Sequence, residues 1–314
     1  MKKNLLDISE ISKRDIDRIN EEENPMKFQI IDAFADQIFG GNPAGVVLMD
    51  EGCDFPAEEV MLKTAAELRY SETAFIKVLG DKHFHIKYFT PAAEVDLCGH
   101  ATVGSFGALL EWGIIKNGDV CTLETLAGTL KVEITDGFVF MEMGKPETIS
   151  TIDDPVSILE LAQVMGIKGD DVVMNPDLVS TGLPDIMLAV KSKEILNAME
   201  PNMKALSDLS AKYEVTGVHA FALSEEDGVT ADCRNFAPLY EIDEEAATGT
   251  SNGALTFYLY NKGIVKPNET NLFIQGEAMK RPSKIMSKLT EVDGQVLIQV
   301  GGVYKTLAKG EINI

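Results

Sequence analysis

The sequence predicts an α+β protein built as two similar domains related by pseudo-twofold symmetry. Three observations point there. A length of 314 residues is room for two domains of ordinary size. Strand-like runs outnumber helical ones and come in consecutive groups, without the regular strand–helix beat of a doubly wound sheet. One unit of strand, glycine turn and helix occurs twice at the same spacing.

Taken in order, residues 1–25 come first. They are charged from Asn4 to Glu23, with Leu5, Leu6, Ile8, Ile11 and Ile16 scattered among the charges. This stretch reads as an N-terminal extension, either one short amphipathic helix or a solvated tail. Phe28-Gln29-Ile30-Ile31 opens the first strand. Residues 55–68 suit a helix, with Val60, Met61, Ala65 and Leu68 on one face. Residues 84–88 and 130–134 alternate with the period of two expected of strands. Asp154-Pro155 starts a second amphipathic helix with a capping carboxylate and a proline at the first helical position. Ile158, Leu161, Ala162 and Met165 form its stripe and Gly166 ends it. Strands over 186–190, 218–223 and 296–300 follow. Gly144-Lys145-Pro146 marks the break between the two domains, which gives 26–144 for the first and 145 onward for the second.

The repeat carries most of the information. Phe89-Thr90-Pro91 precedes Cys98-Gly99-His100-Ala101-Thr102, and Phe236-Ala237-Pro238 precedes Thr248-Gly249-Thr250-Ser251-Asn252. Each turn opens an apolar segment that stops at a second glycine, Gly113 or Gly263, fourteen residues after the first in both cases. Glu94 and Glu244 stand at matching places before the turns. Each unit therefore reads as a strand, a turn and a three-turn helix closed by glycine. Duplicated domains of this kind leave a cleft between them.

Net charge narrows the partners. Twenty-eight Lys and Arg against 50 Asp and Glu give −22, which works against nucleic acid and anionic membranes as general partners. No apolar run is long enough to span a bilayer. Asp7, Glu10 and Lys13 interrupt any apolar core of a signal peptide, so a cytoplasmic location is expected. Cys53, Cys98, Cys121 and Cys233 form no CxxC pair, and His83 and His85 are followed by no third ligand at a sensible spacing, so no metal is expected.

An acidic protein can still bind a small anion where helix N-termini supply unpaired N–H groups and a partial positive charge. Two such ends, at Gly99 and Gly249, facing one cleft would make a carboxylate site. Glu72, in Ser71-Glu72-Thr73-Ala74-Phe75, has small and apolar neighbours. Partial desolvation there would raise its pKa and suit it to acid/base work. Cys98 begins a helix, where a thiol pKa falls; it is a base, a nucleophile or a buried small hydrophobe. Spacing alone makes His100 a polar cap, and makes Glu244 and Glu245 an exposed acidic pair. No Gly-x-Ser-x-Gly elbow is present, which disfavours a hydrolase.

Seven ordered motifs add a family. They are Gly41-Asn42-Pro43-Ala44-Gly45-Val46, Ser71-Glu72-Thr73-Ala74-Phe75, Phe89-Thr90-Pro91, Cys98-Gly99-His100-Ala101-Thr102-Val103-Gly104, Arg234-Asn235-Phe236-Ala237-Pro238, Ala247-Thr248-Gly249-Thr250-Ser251, and Gln275-Gly276 with Arg281-Pro282-Ser283. Together they make the chain, from about residue 27 onward, resemble the PhzF-like family, named for the isomerase of phenazine biosynthesis. The resemblance implies a diaminopimelate-epimerase-like fold whose last strand, roughly 300–314, returns to the first domain, leaving 145–299 for the second. It implies a homodimer that needs no metal or organic cofactor. It implies that Glu72 moves a proton between carbons of a cyclic dihydro-hydroxyanthranilate. His100, Gly99, Ala101, Glu245, Thr248, Gly249 and Thr250 would bind the substrate. Glu245 and Ala246 stand where the family has Asp and Pro, a departure that bears on the substrate because a methylene shifts a carboxylate by about an ångström.

Related epimerases use two thiols, one per domain. Cys98 matches the first, but Thr248 matches the second and its hydroxyl cannot be a base at neutral pH. The leading expectation is an isomerase with a one-base shuttle through Glu72, acting on a small cyclic or unsaturated carboxylate. The alternatives are an epimerase or racemase of the same fold using Cys98, and a non-catalytic metabolite-binding protein.

Overall fold

The computed structural model describes residues 25–314, so the N-terminal extension lies outside the described residues except for Pro25. Its first half runs β1 (Met26–Ala33), β2 (Asn42–Leu48), α1 (Glu58–Leu68), β3 (Glu72–Gly80), β4 (His83–Phe89), β5 (Glu94–Val95), α2 (Gly99–Glu111), β6 (Val120–Thr125), β7 (Gly128–Thr135) and β8 (Phe138–Glu142). The second half runs β9 (Glu147–Thr151), α3 (Pro155–Val164), β10 (Asp177–Ser180), β11 (Pro184–Ala189), α4 (Lys193–Asn197), α5 (Met203–Tyr213), β12 (Gly217–Leu223), β13 (Ala231–Ala237), β14 (Ile242–Glu245), α6 (Gly249–Asn261), β15 (Thr270–Gln275), β16 (Ser283–Val292) and β17 (Gln295–Gly302). A last strand, β18 (Tyr304–Ile312), ends the chain. This is the α+β class the strand groups predicted.

Pairing makes the duplication explicit. In the first half β1–β2 is antiparallel, β2–β3 parallel, β3–β4 antiparallel, β4–β6 parallel, and β6–β7–β8 antiparallel. In the second half β10–β11, β11–β12, β12–β13, β13–β15 and β15–β16–β17 repeat that pattern strand for strand. β8 and β17 pair antiparallel and join the halves into one sheet. β18 pairs with β1, so the C-terminal strand lies in the first half.

α2 and α6 fill corresponding places, and both are thirteen residues long. Each is buried nearly all round, and buried polar side chains such as Thr102 and Thr256 find partners in the interior, in Tyr88 and Ser287. α2 packs on β1, β2, β3, β8 and β18, α6 packs on β10, β11, β16 and β17, and the two helices touch. Gly113 and Gly263 follow them at φ +72 and +74, the left-handed turn that glycine adopts without steric cost. A Cβ on Gly107 would sit 2.6 Å from the Tyr304 ring, so the bare backbone of α2 is what lets β18 close over it.

Local expectations met the structure with small shifts. Asp154 caps α3 by accepting from the N–H groups of Val156 and Ser157, with Pro155 in the first turn. α1 begins at Glu58 rather than 55, because Pro56 holds the chain before it out of the helical region. Of the two β4 histidines, His83 pairs with Glu124 at 2.7 Å and His85 stands edge-on to Phe55.

Candidate active site

The two repeats bring their glycine turns face to face. A Cβ built on Gly99 would stand 3.8 Å from Gly249 Cα, so the N-termini of α2 and α6 abut. Neither Cys98 nor Thr248, which precede the helices, caps its own helix with a side chain, and N–H groups of both first turns are left for another acceptor.

Glu72 is the first residue of β3, delivered to this junction by the parallel β2–β3 pair, with Ala44 beside it. Its Oε2 lies 3.1 Å from His100 Nε2. The contact is not aligned as a hydrogen bond, and Oε2 is otherwise buried without a partner. Ser71 Oγ is 3.2 Å from the same ring nitrogen. On the other side of the imidazole, Asn42 Nδ2 is 3.1 Å from Nδ1 and donates to Glu245 Oε1 at 3.0 Å and to the Ala247 carbonyl at 3.3 Å. Glu245 Oε1 is itself 3.8 Å from Nδ1. His100 therefore sits between a carboxylate from each half.

Glu245 is held from behind. Thr248 Oγ1 donates to its Oε2 at 2.8 Å, and Gln275 Nε2 donates to its backbone carbonyl at 2.7 Å. Its neighbour Glu244 makes two 2.8 Å bonds to the Arg234 guanidinium, whose Nη1 also donates to the Leu196 and Met199 carbonyls at the end of α4. The acidic pair is thus strand β14 and largely buried, not an exposed loop. Arg234, ten residues away in sequence, supplies the counter-charge that makes that burial tolerable.

Three expectations about these groups are reversed. Burial does push Glu72 upward, but the charge of His100 at 3.1 Å, with help from Ser71 and Cys98, outweighs it and holds the carboxyl below its ordinary value. Cys98 is not activated: burial, reinforced by Glu72, pushes its thiol up to about 11. The unpaired N–H groups of the helix do not compensate for losing water. His100 is no cap, since its ring turns to Glu72, Ser71 and Asn42. Burial pulls its pKa down, yet Cys98 and Glu72 raise it well above the usual histidine value. With the thiol neutral at pH 7, Glu72 is the charge responsible. Glu245 goes the other way from Glu72: burial raises it, His100 lowers it, and Glu72 raises it further.

Glu72, His100 and Cys98 offer an oxygen, a ring nitrogen and a sulfur within 4.8 Å of one another, a donor set a divalent cation could use. Binding one would require a bare thiolate and a neutral imidazole, against the direction in which both groups are shifted. Thr250 and Ala101 lie in the facing first turns. Thr250 contributes its carbonyl to the Thr181 hydroxyl at 2.9 Å. Sequence reasoning placed the expected residues at one junction but did not assign Asn42, Ser71, Gln275 or Arg234 to it. All four lie in the motifs quoted above, and the signal available was their position beside Glu72, Glu245 and the two turns.

Comparison with known proteins shows the family to which the chain belongs. Residues 31–310 match the family described as phenazine biosynthesis-like protein. The chain is 33% identical to an uncharacterised isomerase of Clostridium acetobutylicum, covering 90% of this chain and 96% of that one. It is 28% identical to the trans-2,3-dihydro-3-hydroxyanthranilate isomerase of Pseudomonas aeruginosa, covering 90% and 98%. Among solved structures, a phenazine biosynthesis protein of the PhzF family from Bacillus anthracis superposes with a TM-score of 0.80 at 26% identity, covering 92% and 99%. A hydroxyproline epimerase from Agrobacterium vitis superposes at 0.59 and 15% identity, covering 92% and 91%, a likeness of fold alone.

Proposed function

The chain belongs to the phenazine biosynthesis-like protein family and is an isomerase, and from that premise we propose that it moves a proton within a small cyclic or unsaturated carboxylate, with Glu72 as the single group that takes and returns it. The observation that carries this reading is an asymmetry between otherwise matching halves. Strand register puts Gly217 in the second half where Glu72 stands in the first. The turns put Thr248 opposite Cys98 and Thr250 opposite His100. A side chain at Gly217 is impossible, since its Cβ would fall 1.8 Å from the Phe236 carbonyl oxygen. The second half therefore has no counterpart of the first half's base, and the two-thiol epimerase reading loses both its second residue and, with Cys98 a thiol at neutral pH, its first.

In the proposed reaction the substrate carboxylate lies against the N–H groups at Gly99 and Gly249, where the two helix dipoles and hydrogen-bond donors favour negative charge. Glu72 begins ionised beside His100. It accepts a proton from one substrate carbon as that C–H bond breaks. The electron pair shifts through the adjoining double bond, and the protonated Glu72 delivers the same proton to a second carbon on the same face. Atoms and electrons balance without an oxidant or co-substrate. His100 holds Glu72 in position and moderates its charge, while Asn42 and Glu245 fix the ring from the far side.

The substrate of the Pseudomonas aeruginosa relative is the first compound to try. Turnover of trans-2,3-dihydro-3-hydroxyanthranilate in deuterated water, followed by NMR, tests the reaction and the base together. Glu72→Gln should lower the rate by roughly 10³-fold, the usual worth of a general base. Full activity in that variant would remove Glu72 from the mechanism.

A further inference from the structure

Behind the second glycine turn lies a group of polar side chains that the reaction above does not use. Asp185 on β11, Ser251 in the first turn of α6, Asn235 on β13 and His219 on β12 are each at most 3% exposed. Ser251 donates to Asp185 Oδ2 at 2.5 Å, and Asn235 Nδ2 donates to Ser251 Oγ at 3.1 Å while lying 3.2 Å from His219 Nδ1. Two atoms of the group, Asp185 Oδ1 and His219 Nε2, are buried with no hydrogen-bond partner. A buried carboxyl with an empty oxygen is costly if ionised, and Asp185 has no cation beside it among the described residues.

Its place in the repeat is informative. Glu72 is excluded from the second half by Gly217, and Asp185 stands one strand over, at the position Ala44 holds in the first half. Each half thus sets one acid against the first turn of its central helix: Glu72 against His100, Asp185 against Ser251. The first keeps 14% of its side chain exposed. The second is sealed behind the helix end that would receive the substrate.

We infer that Asp185 is a positioning residue that sets how strongly the α6 end of the cleft attracts an anion. Through Ser251 it anchors the turn that presents the Gly249 and Thr250 N–H groups. Through its charge it either cancels the partial positive charge of that turn or leaves it available to a substrate carboxylate. The inference rests on the proposed carboxylate site. Burial, partly offset by Ser251 and the Gly217 N–H, raises the Asp185 carboxyl to about 6, so its charge changes within a working pH range. Among the ionisable groups of the described residues, His219 is pulled down to about 3 by burial and stays neutral, Glu245 on β14 is raised partly by the Asp185 charge, and Asp177 on β10 is paired with Lys262 of α6.

The test is binding of anthranilate, a stable cyclic carboxylate, by calorimetry from pH 5 to 8. Asp185→Asn keeps an acceptor for Ser251 but can carry no charge. The ratio of wild-type to variant Kd should be near one at pH 5 and rise to roughly fourfold at pH 8, the worth of one charge about 10 Å away at an intermediate dielectric. His100 titrates in both proteins, but Glu245 is held up partly by the Asp185 charge and ionises more readily in the variant, so the comparison is repeated in a Glu245→Gln background, where the ratio isolates Asp185. A flat ratio overturns the inference and leaves the carboxylate site standing. Failure of the wild type to bind at any pH overturns both. Should Asp185→Asn not fold, Ser251→Ala removes the hydroxyl that lowers the Asp185 pKa, and the wild-type fall in affinity with pH should move upward; an unmoved midpoint counts against the inference.

Discussion

At the scale of single residues, the site separates two carboxylates that composition alone would treat alike. Glu72 is drawn down by His100 and Glu245 is driven up by burial, so one is poised as a base and the other resists ionising. The pH dependence follows. Turnover needs ionised Glu72, so kcat/KM should fall only below the ordinary carboxylate range, and it should hold on the alkaline side beyond pH 6.5 because His100 is raised. A broad plateau in a pH–rate profile is expected, its two limbs belonging to the coupled pair rather than to either residue. A narrow bell centred near 6 would contradict this arrangement. Asp185 contributes to stability with the opposite sign from a salt-bridged acid. Its folded pKa of about 6 exceeds the reference 3.8, so its favourable contribution is complete below pH 4 and is lost as pH rises through 6. Asp185→Asn should therefore be more stable than the wild type at pH 8 by about 3 kcal/mol in urea unfolding, with the difference vanishing near pH 4.

Among elements, α2 and α6 decide what the cleft can hold, and two glycines in α2 serve different ends. At Gly107 a methyl would collide with the Tyr304 ring, near its attachment rather than at a flexible tip. Gly107→Ala should cost about 2 kcal/mol of stability, seen as a lower melting temperature, by forcing β18 off the helix. At Gly99 a methyl meets nothing closer than 3.8 Å, but what it approaches is the backbone of Gly249. Gly99→Ala should melt at or above the wild-type temperature, as a helical glycine replaced by alanine does, while raising KM tenfold or more. Equal KM values in the two proteins would mean that the gap between the helices is not where the substrate sits.

For the molecule as a whole, the halves are joined by the β8–β17 ladder and by a clasp beside the site. Arg281, after β15, reaches into the first half, donating to Gly41 O at 2.9 Å, to Gly40 O at 2.8 Å and to Asp32 Oδ1 at 2.8 Å. Asn42 follows Gly41 and Gln275 precedes the Arg281 turn, so the clasp connects directly to both sides of the imidazole pocket. Asp32 is only 1% exposed and would be left without its cation. Arg281→Ala should destabilise the protein by about 3 kcal/mol and lower kcat more than it raises KM, and Arg281→Lys should restore part of both. Loss of stability with unchanged kcat would make the clasp purely structural.

The sequence by itself determined the class, the duplication and the neighbourhood of the site. Each is a local or periodic property: alternation in β4 and β7, the fourteen-residue spacing from Gly99 to Gly113 and from Gly249 to Gly263, the cap at Asp154. Glu72 stood out by its small and apolar neighbours, whereas His100 and Glu245, in and beside the repeated turns, read as a cap and an exposed acid until the family resemblance gave them a role. Only the tertiary structure decided their states. A pKa depends on what stands within a few ångströms, and Asn42 and Arg281 approach from distant parts of the chain, as Asn42 does to Glu245 across 203 residues. The Cys98 thiol shows the reason most clearly. Its position at a helix start argues for a lowered pKa, while full burial beside an ionised glutamate sends it to about 11. Burial and pairing are sums over the folded chain, and no local spacing encodes them.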